Sequence, residues 1–340
     1  MKKITISDVA KEADVSKSTV SRVLNNAPNV NDEMRERVLK AIDKLNYQPS
    51  RAAQQLKKNI QDVIGFLVPS IKETIFGAVL QGAQDFAYQN KMGIFAYSTA
   101  DNLERQQMYL EFLQSEQLAG LVIAPAPGTD PNVLTKLREQ EVDIVLLDRK
   151  LAGFDADFIG SDNIQGAYSA VCHLIEQGYT RIATIAGAQN VSTGIERLTG
   201  YRMALTEMQL DMRPEWVVIA NFDEEQSYHA LQSLIKQDNP PEAIFIANDA
   251  MAIGALRAIR DVGIRVPDDL ALASFDQLPL ADSLIPSMTT VEQATKALGE
   301  ESLRLLTDLM DNPNRSRRLI QIPTTLHVRE SSLAIERIQS

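Results

Sequence analysis

From about residue 61 onward, short apolar runs alternate with stretches whose apolar residues recur at helical spacing. The runs are DVIGFLV (62–68), GIFAYS (93–98), LAGLVIA (118–124), DIVLLD (143–148), RIATIAG (181–187), WVVIA (216–220), AIFIAND (243–249) and LALASFD (270–276). Amphipathic stretches lie between them at 76–90, 105–116, 166–178, 195–208, 224–237 and 249–263. Short apolar runs of this kind read as strands buried on both faces. Their alternation with helices predicts parallel sheets covered on both sides. Eight such units fit one barrel or two doubly wound halves, and the pattern alone does not choose.

The first 50 residues carry a different pattern. Thr5-Ile6-Ser7-Asp8 has the form of a helix start, with Ile6, Val9, Ala10 and Ala13 following on one face. Ser16 can cap a second helix whose inner side is Val20, Val23 and Leu24. Only Asp14-Val15 separates the two, so they must cross sharply. A third start lies at Asn31, where Asp32 and Glu33 suit the helix dipole. Its inner face would be Val38, Ala41, Ile42 and Leu45. Three short helices with a tight first turn describe a helix-turn-helix module, with Lys17, Ser18, Ser21 and Arg22 exposed on the second. A small helical bundle with a solvated polar face fits the same spacing.

Charge sharpens the division. Residues 1–59 hold 12 Lys and Arg against 7 Asp and Glu, a net of +5, and the remainder 22 against 38, a net of −16. A basic head on an acidic body suggests that only the head meets a polyanion. The length of 340 residues allows two to three domains, and 44% hydrophobic with 23% charged residues excludes disorder as the main state. Cys172 is the only cysteine, so no internal disulfide forms and a reducing compartment fits. The longest stretch without Asp, Glu, Lys or Arg is 182–195, 14 residues, short of the ~18 that span a bilayer. Charges recur through MKKITISDVAKEADVSK where a signal peptide needs an apolar core.

VSKSTVSRVLN, followed later by LNYQPSRAAQQL, resembles the head of the lac repressor/galactose repressor family of bacterial transcription regulators. One departure is Asp14, where the family often has glycine in the turn. Aspartate tolerates the left-handed conformation better than most residues. The resemblance implies a helix-turn-helix DNA-binding head over 1–48 and a hinge helix or linker over 49–59 that folds on operator DNA. It implies DNA contacts from Thr5, Ser16, Lys17, Ser18, Ser21, Arg22, Asn29, Arg51, Gln54 and Leu56. Leu56 would be the wedge that unstacks a central base step, a known way to bend DNA.

The body resembles the effector domain of the same family, and this resolves the fold class as α/β. Two doubly wound parallel-sheet lobes, like those of periplasmic binding proteins, would follow a small all-α head. The effector-binding and dimerisation domain would be 60–329, its N-lobe about 60–160 and 292–322, its C-lobe about 162–288 and 323–329. Crossings are expected near 157–162, 287–293 and Pro323, with a C-terminal tail over 330–340. Ligands in such sheets bind beyond the carboxyl ends of the strands. STGIERLTGYRMAL, AIFIANDAMAIGALRAI and LALASFDQLPLAD match the family's patterns. Carried over, they make Arg197, Asn248 and Asp276 the core effector contacts, with Asp148, Phe222, Thr193, Ser161 and Phe76 around them. A carboxylate and an amide can take several hydroxyls, a guanidinium supplies fixed donors, and an aromatic ring can cover a sugar's apolar face. Asp162 and Asp249 read as helix caps, and Phe76 fits a lobe-interface position as well as a ligand platform. The first lobe has Glu73-Thr74-Ile75-Phe76 where the family often has an Asn-Pro-Phe-Phe run, which leaves the ligand's identity open.

Catalysis finds no constellation. His173, His229 and His327 have no Cys, Asp or Glu at metal-ligand spacing, and Cys172 and His173 point to different helix faces. No phosphate loop or GxGxxG occurs, and no metal or cofactor is expected. The expected protein is therefore a cytoplasmic, nucleoid-associated repressor and not an enzyme. Its partners are palindromic double-stranded operator DNA, a sugar-like effector and a second copy of the chain, with no membrane. The alternatives are a solute-binding protein of a sugar transporter and a regulator responding to a nucleoside. Family tetramers carry a leucine-heptad tail, and the 11 residues 330–340 are too few for one, so a homodimer is expected. Removing Arg197 or Asp276 should spare folding and operator affinity and lose only the response to effector.

Overall fold

The computed structural model describes residues 6–24, 30–45, 63–116, 118–278 and 281–334. The chain divides into two compact units, Met1–Gln61 and Asp62–Ser340.

In the first unit α1 (Ile6–Glu12), α2 (Lys17–Leu24) and α3 (Asp32–Leu45) close on a small core of Val9, Ala10, Ala13, Val20, Val23, Val38 and Ala41. Ser16 caps α2, its Oγ accepting from the Thr19 amide at 3.1 Å. Asn31 caps α3, its Oδ1 accepting from the Glu33 amide at 2.9 Å. Asp14 takes the left-handed turn with φ 52°. Arg37 of α3 donates to the carbonyls of Ala13 at 2.7 Å and Asp14 at 3.1 Å. It thus satisfies groups that the end of a helix leaves open and locks the angle between α1 and α2.

The second unit contains two six-stranded sheets, which decides against a barrel. The first holds β1 (Val63–Val68), β2 (Gly93–Ser98), β3 (Gly120–Ile123), β4 (Asp143–Leu147), β5 (Asp157–Ser161) and β11 (Leu319–Ile322), in the order β11-β5-β4-β3-β1-β2. All its pairings are parallel. The second holds β6 (Ile182–Ala186), β7 (Val217–Ile219), β8 (Ala243–Ile246), β9 (Ala271–Phe275), β10 (Thr289–Glu292) and β12 (Thr325–His327), in the order β12-β10-β9-β8-β6-β7. Here β12 departs from the all-parallel expectation. It runs antiparallel to β10 at the sheet edge, where the chain returns from the other lobe and needs no crossover helix.

Side chains alternate between the faces of each sheet, as the period of two requires. In β1, Ile64, Phe66 and Val68 join a core under α4 (Thr74–Gln89) and α11 (Thr295–Asp311). Leu67 joins the opposite core, with α5 (Leu103–Ser115) and α6 (Pro131–Arg138). In the second lobe α7 (Asn163–Glu176) and α8 (Ser192–Glu207) cover one face, and α9 (Glu224–Ile235) and α10 (Asp249–Val262) the other.

The chain passes between the sheets after Ser161, between Glu292 and Thr295, and between Ile322 and Thr325. Two expected boundaries move. Residues 289–292 lie outside the expected C-lobe span but form β10 of the second sheet. The expected tail begins with residues that pack on the same lobe. Ser331 Oγ donates to the Leu272 carbonyl at 2.8 Å, and Ser332 Oγ lies 2.7 Å from His173 Nε2 and 2.6 Å from Thr289 Oγ1. The small hydroxyls satisfy buried polar groups at the sheet margin, which an apolarity pattern does not register.

Candidate functional site

Three of the expected effector residues sit just past strand ends in left-handed backbone: Asp148 after β4 with φ 62°, Phe222 after β7 with φ 61°, and Asp276 after β9 with φ 67°. Each such residue costs about 1–3 kcal/mol, and a bulky aromatic there is a true outlier. Strain held at three loop positions aims the side chains at one place. The Phe222 ring lies so close over Gly187 that a Cβ there would come within 2.1 Å of it.

Arg197 projects from the second turn of α8 and is 3% exposed. Its Nε donates to Asn163 Oδ1 at 2.9 Å, and Nη1 donates to the Ala247 carbonyl at 2.6 Å and to Asp276 Oδ2 at 3.1 Å. Its guanidinium also lies 3.8 Å from the Phe275 ring centroid and 5.9 Å from that of Phe222. Gln293 Nε2 donates to Asp276 Oδ1, leaving Gln293 Oε1 buried without a partner. Asp148 Oδ1 and Ser161 Oγ are likewise buried and unpartnered. Thr193 is buried in the first turn of α8.

Asn248 is the cap of α10, its Oδ1 accepting from the Met251 amide at 2.9 Å. Any ligand contact from this amide therefore falls to Nδ2. Asp249, expected as the cap, is instead the first helical residue, and its Oδ1 accepts from the Ala250 amide at 2.8 Å. Asp162 does cap its helix, accepting from the Gln165 amide at 3.0 Å. Phe76 needs correction as a ligand platform. It is 4% exposed and packed in the first lobe's core, because α4 turns that face onto the sheet.

A cavity of about 280 Å³ opens here, with Thr74, Ile75 and Ala78 from the first lobe and Asp249, Asp276 and Gln293 among its other walls. That is near the lower end of ligand-pocket sizes. Further cleft residues received no role from the sequence. Arg149 is held by Asp101 in a two-pronged contact at 2.6 and 3.0 Å. Lys150 ties the lobes, its amide donating to Ser192 Oγ at 2.9 Å and its Nζ to Glu196 Oε1 at 2.7 Å. Burial pushes the Asp148 carboxyl up to about 6 and the Asp249 carboxyl to about 6. Burial, helped by the nearby charge of Asp249, pushes Glu73 to about 7.

In the head, Ser16, Lys17, Ser18 and Arg22 are exposed along α2. Ser16 Oγ is taken up by the cap and by the hydroxyls of Ser18 at 2.6 Å and Thr19 at 2.9 Å. Ser21 is corrected. It is 5% exposed, since it lies about 100° round the helix from Val20, at the margin of the inner face, and its small side chain is covered. Thr5, Asn29, Arg51, Gln54 and Leu56 lie outside the described residues.

Among the described residues no three His, Cys, Asp or Glu could hold a metal ion, and no helix is long and apolar enough to cross a membrane. His173 bonds Ser332, and His327 Nε2 lies 2.6 Å from Glu292 Oε2.

A helix-turn-helix head and a two-lobed body with a polar cleft define a ligand-responsive DNA-binding regulator. Residues 5–50 match the family described as bacterial regulatory proteins, lacI family, and residues 171–332 match the periplasmic binding protein-like domain. The ribose operon repressor of Haemophilus influenzae is 32% identical over 98% of this chain and 99% of its own. The HTH-type transcriptional repressor PurR of Histophilus somni is 31% identical over 96% and 98%. Among solved structures, the lac repressor dimer bound to operator and the anti-inducer ONPF superposes with a TM-score of 0.83 at 27% identity, over 98% of this chain and 100% of that one. The chain belongs to the lacI family of bacterial regulatory proteins. These relatives are named as repressors, of transcription and of the ribose operon.

Proposed function

We propose that this chain is a cytoplasmic repressor whose paired heads bind a palindromic operator and whose affinity is set by a polyhydroxylated effector of about one sugar ring. The observation that carries the reading is the Arg197–Asp276–Gln293 cluster between the lobes, with buried acceptors on Gln293 and Asp148 left for a ligand. Buried polar groups without partners are costly, so a hydroxyl-rich molecule that supplies the missing donors is favoured there. Asn248 Nδ2, Ser161, Thr193 and the Phe222 ring complete the set. The effector acts through its differential affinity for two arrangements of the body, and Lys150 to Glu196 is one contact that opening must break. A thermal-shift panel of sugars, sugar phosphates and nucleosides tests this. A true effector at a hundredfold excess over Kd adds about 2.7 kcal/mol and changes operator affinity. Absence of any ligand that does both would sink the reading.

Lys17, Ser18 and Arg22 reach the major groove of each half-site in this reading. Arg22→Ala should cost about 1–3 kcal/mol and relax one base position, measured by binding to a library of operator variants. A uniform loss across all sequences would make Arg22 a phosphate contact instead.

The dimer contact is assigned to an apolar groove of about 750 Å³ on the second lobe, lined by Ile253, Leu256, Ile264, Leu284, Ile285 and Pro286. Ile285 is 99% exposed there, and such patches mark association surfaces. The occupant is a second copy of this chain, since the lac repressor it resembles binds its operator as a dimer. Ile285→Glu should shift sedimentation from dimer toward monomer at micromolar concentration and weaken operator binding. An unchanged dimer would move the contact elsewhere.

A further inference from the structure

The cleft contains more carboxylate than its cations answer. Arg149 is engaged by Asp101 and Arg197 by Asp276. Glu73, at the start of α4 in the first lobe, makes no side-chain cap and has no ion pair among the described residues. Asp249, at the start of α10 in the second lobe, bonds only backbone amide and likewise has no ion pair there. Both flank one cavity, Asp249 in its wall and Glu73 next to the lining residues Thr74 and Ile75. The unpartnered groups beside them point the same way. Gln293, which lines that cavity, and Asp148, 6% exposed, each leave one acceptor oxygen buried without a partner, and the buried Arg149 Nε, itself without a hydrogen bond, lies 3.9 Å from Asp148 Oδ2. A neutral hydroxyl brings one proton to such a site, and an ammonium brings three with a compensating charge.

We infer that the effector is a polyol carrying a protonated amine, the ammonium seated between Glu73 of one lobe and Asp249 of the other. This rests on the cleft being the effector site, and it adds the chemical class. A cation held by one carboxylate from each lobe draws the lobes together, so the same contact that selects the ligand favours the closed arrangement. Anionic sugar phosphates meet repulsion from both carboxylates. Burial holds these carboxyls partly protonated near neutrality, helped by the charge of Asp249 at Glu73 and by the charge of Asp276 at Asp249. A rise from pH 5.5 to 6.5 therefore ionises them and strengthens their hold on an amine that stays protonated over that range.

Calorimetry on the full chain with matched probes tests this: D-glucose and D-glucosamine, D-galactose and D-galactosamine, 1-deoxynojirimycin as a ring amine, and glucose 6-phosphate. At pH 6.5, where the amino sugars are still protonated, an amine member should bind ~10-fold or more tighter than its neutral counterpart, the gain expected of an ion pair in a partly buried site. The ratio should shrink toward one at pH 5.5, and in Glu73→Gln and Asp249→Asn, with a melting curve confirming that each variant is folded. A neutral sugar or the phosphate as tightest binder, an unchanged ratio in both variants, or no binding by any member overturns the amine. Arg197→Ala separates the two readings. Where a neutral sugar is the tightest binder and Arg197→Ala abolishes its binding, the pocket stands and only the amine falls. If binding survives Arg197→Ala, the pocket itself is misplaced.

Discussion

Arg197→Ala is expected to abolish the effector response and to lower the melting temperature of the body by on the order of 10 °C. The first effect follows from the proposed effector site, in which Arg197 bonds Asp276 of the cavity wall and lies 5.9 Å from the Phe222 ring centroid. The second follows from what Arg197 holds. Its guanidinium ties α8 to Asn163 of α7, to the Ala247 carbonyl after β8 and to Asp276 after β9. Removing one partner of a buried ion pair costs about 3–5 kcal/mol, because the other charge stays behind uncompensated. For a domain of this size each kcal/mol moves the melting temperature by roughly 2–4 °C. Read from sequence alone, Arg197 is a ligand contact whose loss spares the fold. The structure makes it a strut as well. Arg197→Lys keeps the charge but cannot serve three acceptors in fork geometry, so it should recover only part of the stability. Calorimetric melting and operator binding with and without effector check both halves, and a variant that melts normally and still responds would refute them.

The strand-end and loop-to-helix positions of Arg197 and Asp276 follow from the alternation of apolar runs, while their effector role rests on the resemblance of STGIERLTGYRMAL and LALASFDQLPLAD to the family's patterns. Gln293 was not, since it comes from a crossing segment with no strand signature of its own, and topology alone brings it to Asp276. Arg149 adjoins Asp148, and only the fold reveals that Asp101 holds it. Strands were missed where they lack an apolar run. DFIGS (157–161) begins with a fully buried aspartate and includes a glycine, and LIQI (319–322) lies on a sheet edge with an exposed and half-exposed pattern. β10 reads TTVE, and its two threonines are buried by pairing and hydrogen bonds that hydropathy does not see. In the head, Ser21 failed for geometry. A residue at the margin of a short helix is covered or exposed according to how its neighbours cross.

Loss of Arg315 should have an effect of the same size in the first lobe, and its consequence for function should differ. Arg315 Nη2 lies 2.5 Å from Asp157 Oδ2, Nη1 lies 3.2 Å from Oδ1, and the Arg318 amide donates to Oδ1 at 2.8 Å. Asp157 is 0% exposed, so its charge has no water to turn to. It opens β5, and Arg315 and Arg318 stand just ahead of β11, which pairs with β5 in parallel from Leu319 with Phe158 to Ile322 with Ser161. These two strands run straight into two of the three crossings between the lobes. The clip therefore sets the register of the segments about which the lobes must hinge. Arg315→Ala leaves a buried carboxylate unpaired, at about 3–5 kcal/mol. Asp157→Asn, which removes the charge while keeping the shape, should cost less. Neither residue borders the cavity, so each variant should retain most of its effector affinity and lose part of the coupling between effector and operator. Titrating effector against operator affinity, beside a melting curve, gives both quantities. A variant with normal stability would show that the pair does not hold the strands, and one destabilised but fully coupled would show that the hinge does not depend on their register.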